Sequence, residues 1–213
     1  MKITWIGHAC FFIEAREGRL VTDPFAANVP YPFPAITAEA VTVSHEHHDH
    51  NAVDRVLGRP AAVRGVGEHR ASGLDILGIA SSHDASGGSQ RGDNTIFTFA
   101  LEGIRLAHLG DLGAPLDETQ RAALRGVQVL FLPVGGTYTI DARQAGALVR
   151  TLPDLRLAFP MHYRTQPLAD WPIAPVDEFL RTMDNVRRIE SSDVVLTKAT
   201  LPETLEVWVF SHA

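Results

Sequence analysis

His45-Glu46-His47-His48-Asp49-His50 places four metal-binding side chains in six positions, in the pattern His-x-His-x-Asp-His. Val41-Thr42-Val43-Ser44 precedes it, a β-branched run that reads as a buried strand. Asn51 to Leu57 follows and reads as a short helix ended by Gly58 and Pro60. The cluster therefore falls on a strand-to-helix loop, where a rigid scaffold can aim side chains at one point.

Neutral imidazole and carboxylate are good ligands for zinc and similar first-row ions. A mononuclear catalytic zinc needs about three protein ligands, and this stretch alone has more. Alternating His45 and His47 can share one face, while Asp49 and His50 turn toward a neighbouring point. That suits two ions roughly 3.5–4 Å apart. A zinc finger is disfavoured, because the only cysteine is Cys10.

The motif resembles the signature of the metallo-β-lactamase-fold hydrolases. Thr22-Asp23-Pro24-Phe25, Val43-Ser44-His45, Arg91-Gly92-Asp93-Asn94-Thr95, His108-Leu109-Gly110-Asp111, Pro133-Val134-Gly135-Gly136 and Pro160-Met161-His162-Tyr163 resemble the blocks of its small single-domain branch, which includes ascorbate-6-phosphate lactonase-like proteins. The resemblance covers most of the chain and is specific to the superfamily more than to a reaction. It implies an α/β protein, a four-layer αββα sandwich of two mixed β-sheets flanked by helices. Alternation of strands and helices alone would allow other α/β layouts.

A length of 213 residues favours a single domain over 1–213. The formal charge of −6, with no long Lys/Arg stripe, argues against nucleic acid. A single cysteine excludes an internal disulfide and fits a reducing compartment. Lys2 followed by apolar residues raises a signal peptide, but His8, Glu14, Arg16 and Glu17 interrupt the pattern. No apolar stretch is long enough to span a bilayer. A cytoplasmic protein without a membrane partner is expected, and a homo-oligomer is left open.

Along the chain, residues 2–6, 11–15 and 19–22 read as a strand meander. His8 lies between the first two strands; a lone histidine there is commonly a hydrogen-bonded structural residue, and the resemblance puts it near the site, outside the metal ligands. Asp23 is either a turn residue or, as the resemblance favours, a carboxylate that orients a metal-bound imidazole. Residues 24–37 hold four prolines and three aromatics across Pro24 to Pro34. They form either an ordered surface loop or a wall of the substrate pocket.

Short strands are expected at 61–64 and 75–80, with His69 between them at the surface. His83 then opens a Gly/Ser-rich loop. It is either a loop histidine or, by resemblance, the third imidazole on the ion held by His45 and His47. Arg91 either binds an anionic group of the substrate or braces that loop. Residues 94–100 and 103–108 read as a hairpin running into Asp111, whose flanking glycines allow close approach to a metal. Asp111 is the expected bridging carboxylate, and His108 is placed beside the site but not on an ion. Helices are expected at 116–125, 142–151 and about 175–184, and strands at 127–132, 155–159, near 194–197 and at 205–210. Tyr138 either faces substrate or sits in a tight turn before a helix capped by Asp141. His162, at a strand end after proline, completes the second ion with Asp49, His50 and Asp111. His212 is expected to fray.

These readings give a metal-dependent hydrolase with two divalent ions, zinc first, with manganese, iron and nickel as alternatives. The resemblance to the lactonase-like branch implies that activated water attacks a lactone or other ester of a small molecule, phosphorylated or not. Asp49 is a ligand, a proton acceptor or both, and Asp49 and His162 are the candidate catalytic residues. Phosphodiester hydrolysis is the alternative reaction. A non-catalytic metal or small-molecule sensor is the alternative class.

Overall fold

The computed structural model describes residues 1–211, so His212 lies outside the described residues. The strands are β1 (Lys2–Gly7), β2 (Cys10–Ala15), β3 (Gly18–Thr22), β4 (Ala40–Val43), β5 (Ala61–Arg64), β6 (Gly67–Ala71), β7 (Leu74–Ser82), β8 (Asp93–Leu101), β9 (Ile104–His108), β10 (Val129–Pro133), β11 (Leu157–Met161), β12 (Val186–Ile189), β13 (Asp193–Val195) and β14 (Glu206–Phe210). The helices are α1 (Glu118–Ala123), α2 (Ala142–Val149) and α3 (Val176–Leu180).

Two mixed sheets result, as expected. One has six strands in the order β13-β1-β2-β3-β4-β5, and the other has eight in the order β12-β14-β11-β10-β9-β8-β7-β6. Each pairs an antiparallel meander with a parallel half: β1–β3 are antiparallel and β3–β5 parallel, while β6–β9 are antiparallel and β9–β11 parallel. The meanders come from strands joined by tight turns, and the parallel halves need crossovers.

Period-two alternation fills the space between the sheets. Ile3, Trp5, Phe11, Ile13 and Leu20 of the smaller sheet share one core with Phe97, Phe99, Leu106, Phe131 and Phe159 of the larger. The rings of Phe11 and Phe131 meet across it at 4.4 Å, and Phe131 stacks on Phe159 at 5.5 Å. Ile6, Cys10, Val21, Val41 and Val43 point the other way. They form a second cluster with Phe25, Val29, Tyr31 and Ile36 of the proline-rich segment and with Leu168 and Ile173. That segment is thus chiefly packing for the outer face of the smaller sheet.

The expected helix at 51–57 is only a 3-10 turn, Val53–Arg55. Ala52 donates its N–H to the Pro24 carbonyl at 2.8 Å, and Val56 is already extended, so the chain is tied to the proline-rich segment before a helical turn can close. The other three helices are present but shorter than expected. α1 and α2 begin at capping boxes, in which Asp117 and Asp141 accept from Gln120 and Gln144 backbone N–H groups. Among the described residues, no helix is long and apolar enough to cross a membrane.

Candidate metal centre

The strands deliver their C-terminal ends to one rim of the sandwich. His8 follows β1, Asp23 follows β3, and the His45–His50 stretch follows β4. From the other sheet come His83 after β7, Asp111 after β9 and His162 after β11. The sheets are tied at this rim by the His162 N–H, which donates to the His8 carbonyl at 3.2 Å. His8, Asp23 and His162 have φ of +53°, +40° and +53°, a left-handed backbone that non-glycine residues rarely adopt. Such conformations gather at functional sites, where the surrounding fold over-determines them. Gly110 permits a close approach: a Cβ there would lie 2.5 Å from the Ser44 Cβ. At Gly135 a Cβ would collide with the His162 carbonyl.

Asp111 is the centre of the arrangement. Its Oδ2 lies 3.1 Å from His162 Nε2, 3.2 Å from His83 Nε2 and 3.3 Å from His50 Nε2. Its backbone N–H donates to Asn94 Oδ1 at 2.9 Å, and Asn94 donates in turn to the Leu109 carbonyl and to Ser81 Oγ. His45 Nε2 and His47 Nδ1 face each other at 3.0 Å. Potential ligand atoms of His45, His47 and His83 lie within 4.8 Å of one another, as do those of His45, His50 and Asp111, and those of His8, Asp49, His50 and His162.

The outer hydrogen bonds assign the tautomers. Ser44 Oγ donates its single proton to Asp23 Oδ2, so at 3.0 Å it accepts from His45 Nδ1–H. His50 Nδ1–H donates to Asp23 Oδ2 at 2.8 Å, and His83 Nδ1–H donates to the Tyr138 carbonyl at 3.0 Å. Each ring therefore turns Nε2 inward. Burial and the neighbouring His50 imidazole hold His45 down to about 3, so its inward nitrogen is a bare lone pair at neutral pH.

A bare His50 Nε2 facing the Asp111 carboxylate is repulsive, and it makes no hydrogen bond; nor does Asp111 Oδ1. Only a cation resolves that contact, either a proton or a metal ion. Without metal, the surrounding carboxylates favour a proton there. Burial pulls the His50 imidazole down, but the carboxylates of Asp111 and Asp49 outweigh it and hold His50 well above the ordinary histidine value. Burial would raise Asp111, yet the imidazoles of His162 and His50 pull it well below the carboxylate range. The donor set, with its inward imidazoles, carboxylates and orphaned buried atoms, fits divalent metal.

Asp23 is fully buried and accepts from the Ser44 backbone N–H at 2.8 Å as well as from Ser44 Oγ and His50. His108 lies behind it, 3.9 Å from Asp23 Oδ2, with Nε2–H donated to the Ala9 carbonyl and Nδ1 accepting from the Gly110 N–H. His8 is nearer the centre, with Nε2 3.2 Å from Asp49 Oδ2. His69 is half-buried, with Nε2 against the Gly65 carbonyl, away from this rim.

A cleft of about 420 Å³ opens over the cluster. His47, Asp49, His83, Asp111 and His162 line it, and His48, Arg91, Tyr138, Asp170, Trp171 and Pro172 complete its walls. The Arg91 guanidinium lies 4.6 Å over the Tyr138 ring. The Arg91 loop is tied down by Asp84, whose carboxylate accepts from the N–H groups of Ser86, Gly88, Gln90 and Arg91 at 2.7–3.1 Å. Asn94, Ser44, Asp84 and Trp171 carry no metal-ligand pattern, so sequence reasoning gave them no role. For Ser44, Asp84 and Asn94 the adjoining His45, His83 and the Arg91–Thr95 block were the available signal, whereas nothing local marked Trp171.

A family model for the beta-lactamase superfamily domain matches residues 2–162. The chain belongs to the metallo-β-lactamase superfamily. A crystal structure from Thermotoga maritima, described as a candidate zinc-dependent hydrolase of the superfamily, is 35% identical. It superposes with a TM-score of 0.81 over 98% of this chain and 97% of that one. A metal-dependent hydrolase of Carboxydothermus hydrogenoformans is 30% identical, with 83% of this chain and 88% of the relative covered. One of Archaeoglobus fulgidus is 29% identical, with 80% and 86% covered.

Proposed function

We propose that this metallo-β-lactamase-fold chain is a metal-dependent hydrolase with two divalent ions, zinc first among the candidates. His45, His47 and His83 hold one ion, and Asp49, His50 and His162 hold the other. Asp111 joins them, and its oxygen within 3.1–3.3 Å of three imidazoles drawn from both sets is the observation that carries the reading. When bound, such ions polarise the scissile bond and make hydroxide available near neutral pH. Asp49 is 13% exposed in the cleft lining, placed to accept a proton from the attacking water and return it to the leaving oxygen.

The substrate is a small ester or lactone. Tyr138, Trp171 and Pro172 offer flat apolar walls for its body. Arg91 enters no ion pair among the described residues, whereas Arg64 is neutralised by Glu46 at 2.8 Å. A free guanidinium in the cleft lining favours a substrate bearing a carboxylate or phosphate. The same cation suits a phosphodiester, which is the second reading. The one cysteine, Cys10, is buried and free, consistent with a cytoplasmic setting.

The test is metal content per chain in wild type and in Asp111→Asn, followed by turnover of a neutral lactone, an anionic lactone and a chromogenic phosphodiester. Two ions per chain, clear loss in the variant and lactone turnover are expected. One ion indifferent to the variant would overturn the two-ion assignment. Metal uptake without turnover of any of the three would favour a sensor.

A further inference from the structure

His8 and His162 are built alike, although they come from opposite sheets. Both are buried, and both have φ of +53°. In both, Nδ1 has no hydrogen-bond partner. In both, Nε2 faces a carboxylate, Asp49 Oδ2 at 3.2 Å for His8 and Asp111 Oδ2 at 3.1 Å for His162. Their rings are 4.2 Å apart, and His8 lies 5.2 Å from the His50 ring.

We propose that His8 is a further ligand of the second ion, beside Asp49, His50 and His162. This rests on the two-ion reading above. Two atoms about 2.0–2.2 Å from one ion, at angles between square and tetrahedral, lie roughly 2.8–3.6 Å apart. The His8–Asp49 spacing falls in that interval, as do 3.0 Å for His45–His47 and 3.2 Å for His83–Asp111, while His50–Asp49 at 3.7 Å lies just beyond it. A hydrogen bond to Asp49 alone would have a similar length. It would not require His8 to converge on His50 and His162 too, yet one ligand atom from each of the four lies within 4.8 Å of the others. No hydrogen bond at Nδ1 sets the aim of the ring, which packs edge-on against Trp171 at 5.3 Å.

The two ions then differ. The first has His45, His47, His83 and Asp111, a four-coordinate set that suits zinc. The second has His8, Asp49, His50, His162 and Asp111, and a water would make six. That number suits manganese or iron better than zinc.

The experiment is a cobalt(II) titration of the metal-free full chain, reading ions bound per chain and the visible cobalt absorption, which weakens as coordination rises above four. Wild type is compared with His8→Gly and His8→Gln. Glycine accepts the left-handed backbone without strain, and uptake of the first ion reports that the variant is folded. Glutamine keeps an N–H donor for Asp49. The expected result is an unchanged first ion and a second ion weakened in both variants by more than the roughly tenfold to hundredfold that loss of an outer hydrogen bond alone gives. The second-ion absorption should strengthen, and added imidazole should restore the wild-type spectrum in His8→Gly. Wild-type affinity and spectrum in His8→Gln would overturn the proposal, leaving His8 as a donor to Asp49 only. A wild type that binds one ion overturns the two-ion reading itself, and that outcome is seen before any variant is made.

Discussion

Asp23 and His50 are both fully buried, and His50 Nδ1–H donates to Asp23 Oδ2 across 2.8 Å. Asp23 is reached from β3 and His50 from the loop after β4, so neighbouring strand ends fix one imidazole. The same carboxylate holds Ser44, and through it His45. One side chain that faces no cleft therefore sets the aim of a residue in each half of the metal cluster.

Asp23→Ala is expected to weaken binding of both ions, by about tenfold to a hundredfold, with turnover falling in step at limiting metal. Saturating metal should restore part of the activity. Competition against a coloured chelator measures it, and an affinity within twofold of wild type would remove Asp23 from this role.

Metal uptake is expected to release protons at pH 7. His50 is held well above the ordinary histidine value and His83 above it, burial being outweighed by Asp111 in each, so both hold a proton more tightly in the metal-free protein than a free imidazole does. An arriving cation displaces them, so affinity rises as pH climbs through neutrality and falls as it drops. Without metal the linkage runs the other way. A raised His50 stabilises the fold fully below the unfolded value of about 6.5, and that contribution is lost as pH rises through its folded value. Calorimetric titration in two buffers of different ionisation enthalpy counts the protons, and a count of zero would show both imidazoles already neutral.

Arg91→Ala is expected to raise KM for an anionic ester by about tenfold to a hundredfold, as loss of a hydrogen bond to a charged group would give. The neutral isostere should be hydrolysed as before. Equal losses on both esters would mean that Arg91 braces its loop instead.

Phe131→Ala is expected to cost about 3–5 kcal/mol of stability, because its fully buried ring bridges Phe11 of the smaller sheet and Phe159 of its own. Denaturant unfolding of the metal-loaded protein reads this directly. A loss below about 1 kcal/mol would show that the two sheets do not depend on this contact.

The central strands were legible because burial on alternating or both faces writes a hydrophobic pattern, as in Val129–Pro133 and Leu157–Met161, where every residue is buried. β6 and β12 were not anticipated. They are the two edges of the eight-stranded sheet, and Gly67–Ala71 and Val186–Ile189 leave most of their residues partly or fully exposed. Little burial leaves little pattern. At the metal centre, His45, His47, Asp49 and His50 could be read locally because four ligands fall in one hexapeptide. Trp171 and Pro172 reach the cleft through a long, irregular segment after β11, and no local chemistry marks them. The convergence of His8 on the cluster depends on a left-handed backbone that a histidine in a Gly-His-Ala triplet does not announce.

The cluster is fed from both sheets at one rim, with His45, Asp49 and His50 on one side and His83, Asp111 and His162 on the other. A bound ion is thus a rivet through the sandwich, and the sheets cannot part without surrendering it. Cohesion of the fold becomes a function of metal supply. With free ion a thousandfold above its dissociation constant, the linkage adds about 4 kcal/mol. Starvation for metal would therefore silence this protein twice, first by removing its reagent and then by loosening the frame that holds the vacated side chains, so that a chelator acts on it as a mild denaturant.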